Sequence, residues 1–470
     1  MRAGAASAWL WLACAGGASA GTLWSSAGGS VNVEGRAFYK ALGTGIAVSG
    51  GLVDATAELE RIHAEARALL PPEQASSLPA GVAIPDAGAS TGHLARLEGK
   101  LTWTELLTVE AAYQVGAVVA SSPAFAGGAS LSSAFTGTGG PQRRFADLPA
   151  AIFSRPGLRV DQNLDRLSVR LAFKGADVVV GRQVLSWGTG RFWNPTDLLS
   201  PFSPTEIDRE VRRGIDAARV TVPLSATSQL ELVWLPRRAA AENGGAIRAQ
   251  VNLWGYDVSL SAAKYVNDLV AGADFSGDVG PVGVHGEAAY TWGLTGLGEP
   301  GAQVGVGERA LRAVVGADFR PSDKLAVTAE YSFNGFGAEG SAGYLAALAS
   351  PRARRGEIFG AGRHYVGIAV SYGFSELLTL QLLALVNLQD PSAQLVPVVE
   401  YWFEQSVILR AGAFIPLGRA PDPSALRALG GADVLAQTQA FRDAASILGL
   451  RSEYGLSSFG LLAQVGVYFQ

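Results

Sequence analysis

Cysteine is nearly missing from this 470-residue chain, which has only Cys14. A single thiol excludes a disulfide framework and any site built on paired cysteine ligands. Histidine is scarce too: His63, His93, His285 and His364 are all there are, and none stands in an HxxxH spacing. No phosphate-binding glycine loop with a following lysine occurs. Charged residues make up 17% of the chain and the net charge is −4. That mild acidity argues against a nucleic-acid partner. After residue 20 there is no apolar run of about 18 residues, which excludes helical membrane spans. Neither the residues nor their spacing call for a metal or a cofactor.

What is present begins with "MRAGAASAWLWLACAGGASA": Arg2, an apolar run, then Ala18-Ser19-Ala20. This is the layout of a signal peptide cut after Ala20, with residues 21–470 as one mature domain. A membrane anchor is the alternative, but the apolar part is too short to span. Lipid attachment at Cys14 is another, weakened by Trp11 where leucine is usual.

Alternation dominates from Leu94 onward. In "LLTVEAAYQVGAVV", Leu107, Val109, Ala111, Tyr113 and Val115 share one face, while Thr108, Glu110 and Gln114 share the other. A period of two means strands with one apolar and one polar face. Eighteen such segments are expected: 31–40, 93–103, 106–120, 163–173, 177–187, 214–223, 229–236, 245–254, 256–265, 269–277, 282–292, 309–320, 325–334, 363–373, 377–388, 393–403, 406–415 and 458–469. Tight turns follow the even segments. Longer Gly/Pro/Ala-rich connections follow most odd ones, with short exceptions near Asn267 and Asp390.

Short turns at one end and long loops at the other predict an all-β fold, a transmembrane antiparallel barrel of about 18 strands. A soluble sandwich is the competing architecture. Aromatics favour the barrel because they gather at strand ends. Trp103, Phe173, Phe275, Phe319, Tyr372, Phe403 and Phe469 mark the turn end; Tyr39, Trp234, Trp292 and Phe333 mark the loop end. The polar face carries Arg166, Arg170, Arg182, Arg219, Arg248, Arg312, Glu110, Glu231 and Glu330 among other charges, basic ones in slight excess. An Arg or Lys facing lipid at mid-depth costs about 2–4 kcal/mol, so this face must line a wet lumen. The last segment, "FGLLAQVGVYFQ", resembles the C-terminal signal that outer-membrane barrels present to their assembly machinery, although Gln470 follows the terminal aromatic.

One connection is unusually detailed: "GTGRFWNPTDLLSPFSPTEIDREVRR", entered from "VVVGRQVLSW". Asn194-Pro195 and Ser203-Pro204-Thr205-Glu206 carry capping signals and predict two short helical turns. An ordered, charged loop on a wide barrel is expected to fold inward and constrict the pore through Trp187, Arg191, Trp193, Asn194 and Asp197. Trp187 as an interface anchor, and Asn194–Asp197 as a mere loop cap, are the structural alternatives. Two further stretches are helical candidates: "DATAELERIHAEARALLPPEQ", with Leu59, Ile62, Ala66 and Leu69 on one stripe, and "DPSALRALGGADVLAQTQAFRDAASILG".

"VGRQVLSWGTGRFWNPTDL" followed by "RRGIDAARV" resembles the same region of alginate-export-like and porin-like outer-membrane proteins of Gram-negative bacteria. Arg182, Gln183, Trp187, Gly188, Asn194, Pro195 and Asp197 carry the match. The resemblance implies an 18-stranded channel and leaves the cargo open. The reading is therefore an outer-membrane channel for small hydrophilic solutes or oligosaccharides, weakly anion-preferring at most. Its surroundings would be the bilayer and lipopolysaccharide. The rivals are a partner-dependent polysaccharide exporter and a closed adhesin-like barrel. An enzyme is a remoter one, for which His285 and Glu287, two residues apart on the polar face, are the sole pair that invites acid–base chemistry.

Overall fold

The computed structural model describes residues 21–26, 30–48, 50–71, 86–121, 145–146, 148–238, 240–266, 268–293, 309–427 and 449–469. The expected leader with Cys14, nearly all of the 121–140 loop and most of the second helical candidate lie outside the described residues.

Twenty strands join in one antiparallel sheet. They are β1 (Gly21–Ser25), β2 (Val31–Ala47), β3 (Ala87–Trp103), β4 (Leu107–Ala120) and β5 (Ala150–Arg155). Next come β6 (Leu158–Phe173), β7 (Ala176–Gln183), β8 (Ile215–Pro223), β9 (Gln229–Leu235) and β10 (Gly244–Leu253). Then follow β11 (Tyr256–Tyr265), β12 (Asp268–Val279), β13 (Val282–Gly293), β14 (Arg309–Phe319) and β15 (Leu325–Asn334). The last are β16 (His364–Gly373), β17 (Leu378–Asn387), β18 (Ser392–Glu404), β19 (Val407–Leu417) and β20 (Phe459–Phe469).

β2 pairs with both β3 and β20, which closes the sheet into a cylinder. Eighteen strands build that wall, one for each expected segment. The short β1 and β5 are extra: β1 covers the turn end of β2, and β5 pairs with the loop end of β6. The larger departures are at loop ends, where β2, β3 and β6 run on to Ala47, Ala87 and Leu158, while β7 stops at Gln183. The two-residue turn Trp254–Gly255 has positive φ at both positions (54° and 87°), the twist that joins β10 to β11 most tightly.

The alternation turns one face outward. Val315, Tyr331, Ile368, Leu382, Val399 and Leu409 are exposed, whereas Asp318, Glu330, Glu400 and Gln464 are buried. Arg248 and Arg312 both face inward, the first bound to Asp274 at 3.0 Å and the second buried. Of the expected aromatic belts, every turn-end member is exposed, as are Tyr39, Trp234 and Trp292. Phe333 is half-buried instead, its ring 5.3 Å from that of His364. Among the described residues no helix is long and apolar enough to cross a membrane.

The interior is less uniformly polar than the sequence suggests. Part of the inner face of β2 and β17–β20 is apolar: Leu42, Leu383, Leu385, Val396, Val398, Phe414 and Leu462 form one buried cluster around Phe192 of the long connection between β7 and β8, residues 184–214, the third loop. The first helical candidate is a helix, Gly50–Ala68, with Ala55, Ile62 and Ala66 buried. Leu69 falls past its end and is exposed. Of the second candidate, Ser424–Arg427 is helical.

Candidate functional site

Residues 184–214 leave β7 and enter the barrel. The expected helical turns are single hydrogen-bonded turns without continuation: Asp197 N–H donates to Asn194 O (3.1 Å), and Glu206 N–H to Ser203 O (3.0 Å). The capping signals at Ser203 and Glu206 are real, since the Glu206 carboxylate accepts from Ser203 N–H at 3.2 Å. The backbone donors that lead into the first turn, from Thr189 to Trp193 and at Thr196, are taken by the barrel wall.

Two wall carboxylates do most of that. Glu287 of β13 accepts from the N–H groups of Thr189 (2.5 Å), Gly190 (2.5 Å) and Thr196 (3.1 Å), and from the Thr196 hydroxyl (2.8 Å). Glu330 of β15 accepts from the N–H groups of Arg191, Phe192 (2.9 Å) and Trp193 (3.4 Å). Both are almost fully buried. The glycines of "GTG" are needed here. Gly188 has φ +98°, and a Cβ on it would sit 2.6 Å from Glu287 Oε1; one on Gly190 would overlap Trp193 O. Gly367 on β16 makes room for the Phe192 ring, 2.5 Å from where its Cβ would be.

The far part of the loop is clasped to the opposite wall. Lys40 of β2 binds Asp208 (2.6 Å) and Glu210 (2.5 Å), Arg36 binds Glu210 (2.9 Å), and Gln464 and Tyr468 of β20 add hydrogen bonds to the same carboxylates. The loop is thus tied to β13–β15 at one point and to β2 and β20 at another, and it crosses the lumen between them. Burial raises the Asp208 carboxyl, but Lys40 and Arg410 outweigh it and hold the group at about 2. A depressed acid stabilises the fold above its unfolded value, about 3.9, and that contribution is lost as pH falls through the folded value. The clasp should therefore hold from neutral pH down to about pH 4 and loosen only toward pH 2. A recording of conductance against pH checks this; a rise already at pH 5 would contradict it.

The expected site residues separate into distinct groups. Trp187 points inward, donating from Nε1 to Glu231 at 2.8 Å, so it is no interface anchor. Arg191 binds Asp318 (3.0 Å), and Asp197 receives Arg212 (2.5 Å), Ser186 (3.0 Å) and Ser200 N–H (3.1 Å). Burial pushes the Asp197 carboxyl up, with Arg212 opposing. Trp193 and Asn194 border a small cavity with Arg312. Glu330 lies beneath the loop, and Arg248 is paired with Asp274. Arg182 departs from expectation. It is paired across the sheet with Leu167, whose side chain is exposed on the outer face. There it binds Asp216 (2.7 Å) and the carbonyls of Leu164 and Ala146. The outward row accommodates this arginine near the loop end because Asp216 and the two carbonyls take up its donors.

Glu110, Arg166, Arg170, Arg219 and Glu231, with Asp177, remain around open space. They line a vestibule of about 580 Å³ on β4 and β6–β9. Arg170 pairs with Asp177 (2.7 Å) and Arg219 with Glu231 (3.3 Å), both arginines partly solvent-exposed. Lys40, Asp208, Glu210 and Glu287 went unrecognised in the sequence as loop anchors. The acidic half of "TEIDREVRR" was their one signal.

His285 does not meet Glu287. Its Nε2 lies 2.7 Å from Glu330 and its Nδ1 3.3 Å from Asp318, under the loop and away from the vestibule. The string GASTG (Gly88–Gly92) has the letters of a serine-hydrolase elbow, but it lies within the first residues of β3, paired with β2, and has no strand-to-helix turn. Its Ser90 Oγ shares a hydrogen bond with Thr44 (2.8 Å).

The chain matches no family model and no curated protein. Solved structures similar to it include OccAB1 of Acinetobacter baumannii, with 10% identity over 93% of this chain and 96% of that one and a TM-score of 0.49. OccD3 (OpdP) of Pseudomonas aeruginosa has 8% identity over 96% and 93%, with a TM-score of 0.49. A porin mutant of Rhodopseudomonas blastica has 12% identity over 93% and 100%, with a TM-score of 0.41. The assignment of this chain as a closed 18-stranded barrel rests on its own strand pairing.

Proposed function

We propose that the chain is an outer-membrane channel of a Gram-negative bacterium, passing small hydrophilic solutes along the side of the lumen that the third loop leaves free. One observation carries this: a charged, water-accessible vestibule of about 580 Å³ inside a cylinder whose outer face is apolar. Three arginines and three carboxylates line it, so the field is mixed and any ion preference is weak. The placement of His285 beneath the loop favours transport over catalysis. Export through a cleaved leader at residues 1–20, insertion by the barrel-assembly machinery and contact with lipopolysaccharide follow from the same reading.

Planar-bilayer recording tests it. The expected result is a discrete conductance with a reversal potential near zero in a salt gradient; complete absence of current would reject an open channel. The two-sided clasp of the loop favours a second reading, a barrel closed at rest. An exporter of polysaccharide in the alginate-export manner, opened by periplasmic partners, is its narrower form. It predicts current only after the loop is released.

A further inference from the structure

Residues 335–363, between β15 and β16, fold over the third loop, and the two enclose a cavity of about 30 Å³. Arg312, Asn194, Ser332, Asn334 and Tyr365 are in its wall. Arg312 is 4% exposed. Its Nη1 donates to the Glu357 carbonyl at 3.0 Å, and its plane lies 5.9 Å from the Phe336 ring centre. Its Nε and Nη2 are buried and, among the described residues, have no hydrogen-bond partner. A guanidinium always carries its charge and its five donors, and a buried donor left idle has given up its water without gaining a partner. Such an arrangement implies a bound acceptor.

The charges around the cavity show what kind. Arg352 binds Asp268 (2.8 Å) and Glu357 (2.9 Å), and Arg355 binds Glu357 (2.5 Å) and approaches Asp268 at 3.7 Å. Those two arginines and two carboxylates satisfy each other. Arg312 is left without a carboxylate in contact, although Glu357 borders the same cavity. Glu287, on the neighbouring strand, already has four donors from the third loop. The remaining polar wall offers amide and hydroxyl donors from Asn194, Ser332 and Asn334. About 30 Å³ holds about two waters or one monatomic anion.

We propose that this cavity binds a halide, chloride under ordinary conditions, held by Arg312 Nε and Nη2 and tying the third loop to the loop that covers it. Water alone would fill the space but leave the arginine's charge unmatched. The ion is chosen by size and sign, and its binding stabilises the closed arrangement of the two loops by mass action.

Crystals soaked in sodium bromide should show an anomalous peak within hydrogen-bonding reach of Arg312 Nε and Nη2. In detergent solution, the thermal unfolding midpoint should be higher in sodium chloride or bromide than in sodium gluconate at equal ionic strength, because gluconate is too large to enter. That difference should vanish in Arg312→Gln, and Ser332→Val should reduce it while keeping the arginine. No bromide peak, or equal midpoints in chloride and gluconate, overturns the proposal. So does an undiminished halide effect in Arg312→Gln. A bromide peak without any midpoint difference means binding at crystal concentration only, and overturns the tie between the loops.

Discussion

Deleting Gly190–Arg213 raises single-channel conductance severalfold. β7 and β8 are paired up to Gln183↔Ile215, so residues 184–189 with Gly214 are long enough to reconnect them. The wall keeps every strand pair, and the barrel persists. What disappears is the strap between the anchors at Glu287 and Glu330 and the clasp at Lys40 and Arg36. The lumen widens on the β13–β20 side, where Phe192 had filled it. The newly wet apolar patch of Leu383, Leu385, Val396 and Val398 lowers the unfolding midpoint, which is the cost of opening. Bilayer recordings beside a heat-modifiability gel measure both effects. An unchanged conductance in a folded barrel would mean that the loop does not obstruct the path.

Replacing one side chain should release the loop without removing it. In Glu330→Gln, the site that receives N–H groups from Arg191, Phe192 and Trp193 loses its charge and one of its two acceptor oxygens. The new amide NH₂ then faces the loop's own N–H donors. Hydrogen bonds to a charged group are worth about 1.5–3 kcal/mol each, so weakening two or three of them removes most of the hold at this anchor. His285, now 2.7 Å from Glu330, loses its acidic partner as well. The expected result is a folded barrel with noisy, partly open conductance, and a loop cut by trypsin at Arg191 or Arg209 where the unaltered loop resists. Glu400→Gln is the control. Glu400 is an equally buried wall carboxylate, but it pairs with Arg410 (2.7 Å) and Trp402 rather than with the loop. Trypsin cleavage to the same extent in both variants would show that general loosening, not the anchor, is responsible.

Local pattern determined most of the wall. Alternation along "LAVTAEYSFN" places Tyr331 outside and Glu330 inside whatever the rest of the chain does, because successive side chains of a strand must point to opposite faces. Turn lengths then ordered eighteen strands into one meander, and the aromatic belts fixed its two ends. The charge of Arg182 points to the lumen, but its place in one row with Val178 and Val180 is outward, where Asp216 and the Ala146 carbonyl satisfy it. Alternation does not explain β17, where the inward row of "LTLQLLALVN" passes from Thr379 and Gln381 to Leu383 and Leu385. The wall could be apolar there because Phe192, from a loop almost 200 residues earlier in the chain, packs against it.

The sequence by itself determined which residues face lipid and which face inward, because a two-residue period is a property of each strand alone. Tertiary structure decided which inward residues meet water. Glu330, Glu287, Lys40 and Arg312 are inward-facing ionisable residues just as Glu110, Arg170 and Arg219 are, yet the former are claimed by loops and the latter remain around open space. That division depends on where a long connection comes to rest, and contacts between distant parts of the chain leave no period in the sequence.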